Sequence, residues 1–315
     1  MTAALLLALP ALAAPVVNGQ LEPGFPSTVS LGVPWGASVL HVCTGNLITP
    51  EIVLSAAHCG DDVNAEAIVA FGRAWVGETA RDADDELTFR DAFIHPDFAL
   101  GTPPFEPFTE NDVAVLVLAE PAPMEATPIR LTPVTDAELG TTMLAVGYGA
   151  TGGDGQGTGV KRSAELILGE LEYQHLKAYA SDHPDGGMTC QGDSGGPVFV
   201  SEGERQVEWG ITSFGLEGCT NFSASTRTDL LGDWILDRVE EVHGTRDLCD
   251  VNAWYGDGLC DAFCDEVDPD CLPEGGDSGI EGSPKGRCAS AEGGGWALLA
   301  ALGLLGRRRT RSAAG

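Results

Sequence analysis

Cys190-Gln191-Gly192-Asp193-Ser194-Gly195-Gly196-Pro197 is the stretch on which the reading of the chain turns. A serine set between glycines sits on a tight turn, with backbone N–H groups open to whatever approaches its hydroxyl. A serine hydroxyl is a poor nucleophile at neutral pH and needs a base within hydrogen-bond reach. Working outward, a histidine stands in Leu54-Ser55-Ala56-Ala57-His58-Cys59, and an aspartate opens Asn111-Asp112-Val113-Ala114-Val115-Leu116. Imidazole titrates nearest neutrality of the side chains, and a carboxylate can fix its tautomer. Alone, each has a plainer reading: a packed histidine, a turn aspartate before an apolar run, an ordinary glycine turn.

The 315 residues are 43% hydrophobic, as in a globular protein, and the formal charge of −30 repels nucleic acid and anionic lipid. Nine cysteines, eight of them in two local groups, fit disulfides in an exported protein. Residues 16–245 read as short β-branched runs separated by Gly and Pro, which predicts an all-β barrel or sandwich. One helix is expected at its end, where Leu230, Leu231, Trp234, Ile235, Val239 and Val242 recur at helical spacing behind Asp229 as cap. Residues 151–159, with five glycines and no apolar side chain, form a loop, and no internal repeat is visible.

His58, Asp112 and Ser194 follow one another in the order of the trypsin-like (chymotrypsin-fold) serine peptidases, which residues 16–245 resemble. Supporting matches are Val16-Val17-Asn18-Gly19, Gly147-Tyr148-Gly149 and Ser213-Phe214-Gly215. The resemblance implies two Greek-key β-barrels with a C-terminal helix, His58 and Asp112 coming from the first barrel and Ser194 from the second. It implies acyl-enzyme cleavage of protein or peptide substrates with no required cofactor, and an oxyanion hole made by the N–H groups of Gly192 and Ser194. It pairs Cys43 with Cys59 and Cys190 with Cys219; a zinc site, the competing reading, lacks the usual CxxC spacing. It places Met188 at the base of the pocket for the residue before the cut bond, with Thr189, Ser213, Phe214, Gly215 and Ser225 around it. That predicts an apolar preference, with Glu217 the nearby acid that could restore some basic preference. A freed Val16 amine would pair with Asp193. Because Pro15 precedes Val16, trypsin-type activation is excluded; after signal cleavage an Xaa-Pro dipeptidyl peptidase would free Val16 by removing Ala14-Pro15, and the alternative is an N-terminus two residues too long with Asp193 left without its partner. The rival reading is a binding or adhesion module on a protease scaffold, non-catalytic or locked as a zymogen.

Residues 1–14 read as a signal peptide, apolar and alanine-rich. Residues 248–272 hold Cys249, Cys260, Cys264 and Cys271 in an acidic unit too small for its own core, set apart from the peptidase part. It looks like a shortened Lin-12/Notch-type repeat, which implies calcium on Asp257, Asp261, Asp268 and Asp270; an acidic disulfide spacer is the alternative. Residues 273–287 are a Gly/Ser/Pro-rich linker. Residues 288–311 join Cys288, an uncharged run and an arginine cluster, similar to the myxobacterial-type C-terminal sorting signals, which implies surface retention through the membrane. Nothing in the sequence sets the oligomeric state.

Overall fold

Twelve strands build two antiparallel closed barrels with one and the same winding. The computed structural model describes residues 19–60, 64–101, 109–216 and 218–272. In the first barrel, β1 (Thr28–Trp35), β2 (Ser38–Thr49), β3 (Ile52–Ser55), β4 (Arg73–Val76), β5 (Asp85–Ile94) and β6 (Ala114–Leu118) close in the order β1-β2-β3-β6-β5-β4. In the second, β7 (Thr142–Gly147), β8 (Arg162–Glu172), β9 (His175–Tyr179), β10 (Pro197–Glu202), β11 (Arg205–Gly215) and β12 (Phe222–Arg227) close as β7-β8-β9-β12-β11-β10. These fit the two-barrel chymotrypsin fold that the resemblance implies.

Strand β6 explains why its sequence is apolar without alternation. Leu116 and Leu118 point into the first barrel with Val29, Leu31 and Phe89. Val115 and Val117 point the other way, into a second cluster with Ile48, Ile52, Leu54 and the C-terminal helix. A strand buried on both faces reads as a continuous hydrophobic run.

Two helices flank the barrels. α1 (Ala65–Phe71), unexpected from sequence, is capped by Asn64, whose side chain accepts from the Ala67 N–H. α2 (Thr228–His243) buries Leu231, Ile235 and Val239 and ends on Gly244 at φ 77°, a left-handed cap suited to glycine. The expected Asp229 cap is not made. Asp229 lies inside the helix, binds Arg227 Nη2 at 2.6 Å and accepts the Val134 N–H at 2.9 Å, so its carboxylate is spent on a neighbouring loop.

The cysteine unit borrows its core. After α3 (Leu248–Val251), Leu248, Cys249 and Trp254 are buried in the same cluster as Ile48, Ile52 and Leu231 of the peptidase part. Phe263 meets Trp254 edge-on at 5.8 Å, and the Asn252 amide donates to the Ile48 carbonyl at 3.0 Å. Disulfides Cys249–Cys264 and Cys260–Cys271 hold the remainder, so the segment that the sequence sets apart is a flank of the main fold. Among the described residues no helix is long and apolar enough to cross a membrane.

Candidate active site

His58 stands on the 3-10 turn Ala57–Gly60 directly after β3, and Asp112 lies two residues before β6, its hydrogen-bonded neighbour in the barrel. The pairing of β3 with β6 therefore brings two residues 54 apart in sequence together. The His58 backbone N–H donates to Asp112 Oδ1 at 2.9 Å, and His58 Nδ1 lies 2.8 Å from Oδ2. A carboxylate only accepts, so Nδ1 carries a hydrogen, and whenever the ring is neutral Nε2 keeps its lone pair. Asp112 is fully buried and also accepts from Ser213 Oγ. Burial alone would push its carboxyl up; the hydrogen bonds from His58 and Ser213, with the attraction of a charged His58, outweigh that and hold it below the usual range.

Ser194 lies in the loop between β9 and β10, closed by Cys190–Cys219, while Cys43–Cys59 braces the turn of His58. Both pairings are those the resemblance implies. The Thr44 N–H of β2 donates to the Ser194 carbonyl at 2.8 Å, tying the serine to the first barrel. Gly192 has φ 95°, and a Cβ there would meet His41 Nε2 at 2.8 Å and Gly149 Cα at 3.0 Å, so only glycine fits. Its carbonyl accepts from Thr44 Oγ1 at 2.8 Å and from His41 Nε2 at 3.1 Å. His41 Nδ1 in turn faces Ser30 Oγ at 2.7 Å, and burial pushes this imidazole down to about 4, so it is neutral. Among the described residues the N–H groups of Gly192 and Ser194 find no acceptor.

Asp193 is buried beneath the loop and accepts from the N–H groups of Gly149 at 2.7 Å and Cys190 at 2.8 Å. A Cβ on Gly147 would sit 2.3 Å from Asp193 Oδ1, which is the physical reason for glycine at this end of Gly147-Tyr148-Gly149. Desolvation pushes the Asp193 carboxyl up to about 6, against the pull of those N–H groups and of Arg162. Val16, its expected partner, lies outside the described residues.

Beside Ser194 opens a cavity of about 160 Å³ lined by Thr189, Cys190, Gln191, Thr212, Ser213, Phe214, Gly215, Leu216 and Cys219. None of these is charged. Met188 is placed behind this lining, in the second-barrel core with Val198 and Trp209, where Ser223 Oγ donates to its Sδ at 3.5 Å. Ser223 Oγ also accepts from Thr189 Oγ1 at 3.0 Å, so Ser223 stands behind the lining with Met188. The segment after Cys219 is short, with β12 already begun at Phe222, and Ser225 instead stands beside Gly210, deeper in the sheet. Glu217 lies outside the described residues.

A family model for trypsin matches residues 18–235. The chain belongs to the trypsin family. Kallikrein 1-related peptidase b22 of Mus musculus is 30% identical over 247 residues, covering 71% of this chain and 92% of that protein. A trypsin of Simulium vittatum is 30% identical over 224 residues (62% and 84%), and kallikrein-1E2 of Equus caballus 30% over 216 residues (60% and 77%). Membership of the trypsin family makes the chain a serine endopeptidase, and its substrates are proteins or peptides.

Outside the catalytic cleft of this trypsin-family chain, the carboxylates expected to bind calcium have other partners. Arg205 binds Asp257 and, through both Nε and Nη2, Asp261, the latter at 2.6 Å from Nη2. Asp268 accepts the N–H groups of Asp261 at 2.8 Å and Gly256 at 3.1 Å, and Asp270 that of Gly258 at 2.7 Å. Among the described residues no three of these carboxylates lie close enough to share one ion; their oxygens face Arg205 and backbone N–H groups instead. Cys43, His58 and Cys59 do cluster, but the two sulfurs are bonded to each other. Sequence reasoning missed Thr44, His41 and Ser30, which reach Gly192 across the barrel interface and carry no local signature. It gave Ser213 a pocket role and missed its bond to Asp112.

Proposed function

We propose that this endopeptidase cleaves through an acyl-enzyme with Ser194 as nucleophile, His58 as base and Asp112 as the group that orients His58. Ser194 Oγ forms a bond to the substrate carbonyl carbon while its proton passes to His58 Nε2. The carbonyl oxygen takes up the negative charge and is met by the N–H groups of Gly192 and Ser194. When the tetrahedral centre collapses, the C–N bond breaks and His58 returns the proton to the departing amine. Water then repeats the sequence on the ester, releasing the acid and restoring Ser194. The observation that carries this reading is the double hydrogen bond from His58 to a fully buried Asp112.

The uncharged lining of the cavity supports a preference for an apolar side chain before the cut bond. Desolvating Lys or Arg there without a counter-charge costs several kcal/mol. Export is supported by four disulfides, which persist in oxidising compartments. Surface retention rests on residues 288–311 with Cys288, and export on residues 1–14, all outside the described residues.

Fluorophosphonate labelling with a peptide-library profile tests the proposal. Wild type should label and Ser194→Ala should neither label nor cleave. Apolar residues should lead Lys and Arg by more than about tenfold, since each 1.4 kcal/mol is a factor of ten. Turnover by Ser194→Ala within tenfold of wild type would remove the serine from its role. A profile led by Arg would overturn the pocket assignment alone.

A further inference from the structure

The hydrogen bonds of Asp112 continue beyond Ser213 into the second barrel. Ser213 Oγ lies 2.8 Å from Thr109 Oγ1, and Thr109 Oγ1 lies 3.2 Å from Nε2 of the buried His175. The carboxylate can only accept, so Ser213 gives its one hydrogen to Asp112; Thr109 Oγ1 then links Ser213 Oγ to His175 Nε2, and His175 also faces the Glu172 carbonyl. Burial pushes the His175 imidazole down to about 4, so the ring is neutral at neutral pH. Beside it, Gln174 clasps the residue before the aspartate. The Asn111 N–H donates to Gln174 Oε1 at 2.7 Å, and Gln174 Nε2 donates to Asn111 Oδ1 at 3.0 Å. Asn111 has φ 51°, a conformation a non-glycine residue holds only at some cost, and the reciprocal amide pair offsets it.

We propose that the tight hairpin joining β8 to β9 is a positioning device for the catalytic aspartate: Gln174 through Asn111, and His175 through Thr109 and Ser213, fix the segment 109–112 of one barrel from the other. Gln174, Asn111, Thr109 and His175 are assigned no contact with substrate; they act through Asp112 on the orientation of His58. The proposal rests on the triad reading. Misplacing a reacting group by about 1 Å can cost about a hundredfold in rate, so loosening this segment registers in turnover before it registers in binding.

The test uses the active full-length enzyme and the variants Gln174→Met, Thr109→Val and Asn111→Gly, with Asp112→Asn as control. Gln174→Met keeps the shape on a half-exposed turn and removes both hydrogen bonds to Asn111, so it folds. It should lower kcat about tenfold with KM within about twofold, the signature of a contact that matters only in the transition state. Thr109→Val should do the same from the other end of the network. Gln174→Met combined with Asn111→Gly should be no slower than the worse single variant, because the two form one clasp. A merely structural role would lower Tm and leave kcat at 25 °C untouched. If Asp112→Asn loses at least about a hundredfold while Gln174→Met and Thr109→Val keep kcat within twofold, the positioning proposal is overturned and the triad stands. If Asp112→Asn itself keeps full rate, the triad reading fails and the positioning proposal falls with it.

Discussion

Asn46 of the first barrel donates its side-chain N–H to Glu208 Oε2 of the second at 2.7 Å, and it is the hydrogen-bond partner found for a fully buried carboxyl. Glu208 Oε1 has none among the described residues. Desolvation pushes this carboxyl up to about 8 from an ordinary value of 4.5, with the Asn46 bond pulling weakly the other way. The folded chain therefore holds a proton that the unfolded chain releases, so the associated stability is complete below pH 4.5 and drains away as the pH rises toward 8. Glu208→Gln should raise Tm at pH 8 by at least about 3 °C and change it little at pH 5. Differential scanning fluorimetry at the two pH values checks this; an equal shift at both would show that Glu208 is not the titrating group.

His41 should matter to turnover although it lies outside the triad. His41→Phe keeps an aromatic ring beside Tyr148 and removes the hydrogen bond to the Gly192 carbonyl. Loss of that support should lower kcat about tenfold with little change in KM, less than the hundredfold or more seen when an oxyanion donor itself is removed. Steady-state kinetics on one chromogenic peptide would decide it, and an unchanged kcat would show the Gly192 loop to be held by Thr44 alone.

Arg205 neutralises Asp257 and Asp261 and lies over the Trp254 ring at 5.1 Å from its centre. Calcium should therefore leave the Tm of wild type unchanged within about 1 °C. Arg205→Ala leaves a buried carboxylate unpaired and should cost about 5 °C, part of which calcium then restores. A rise of several degrees with calcium in wild type would reinstate a cation site among Asp257, Asp261, Asp268 and Asp270.

Ending the chain at Thr245 should not yield a smaller working enzyme. It removes Leu248 and Trp254 from the cluster that holds Ile48, Ile52 and Leu231, and each large side chain buried there is worth roughly 2 to 3 kcal/mol. The truncated protein should express poorly or melt at least about 10 °C lower. Wild-type melting of the shortened chain would return residues 246–272 to the status of a spacer.

The proposed catalytic residues were legible because their chemistry is local: Ser194 needs glycines around it, and His58 and Asp112 each adjoin an apolar strand. The barrels were legible as short β-branched runs, though barrel and sandwich read alike until β1 is seen to pair with β4. What escaped depends on contacts between residues far apart. Ser223 meets Thr189 34 residues back, and Arg205 finds Asp261 56 residues on. The coupling of Trp254 to the helix α2 face left no mark, because a tryptophan among cysteines and aspartates reads as part of a stapled loop. Asp229 had the right residue type for a cap two positions too late, with Arg227 near enough to claim it.

Both barrels wind in the same order, yet the two halves of the sequence share no recognisable repeat. The winding can thus be met by many residues, asking only for inward-facing apolar side chains and turns at the right places. Its connecting segments are under no such demand. In the proposed reaction one such segment in the first half carries the base and one in the second the nucleophile, so two copies of one architecture divide the two halves of the reaction between them.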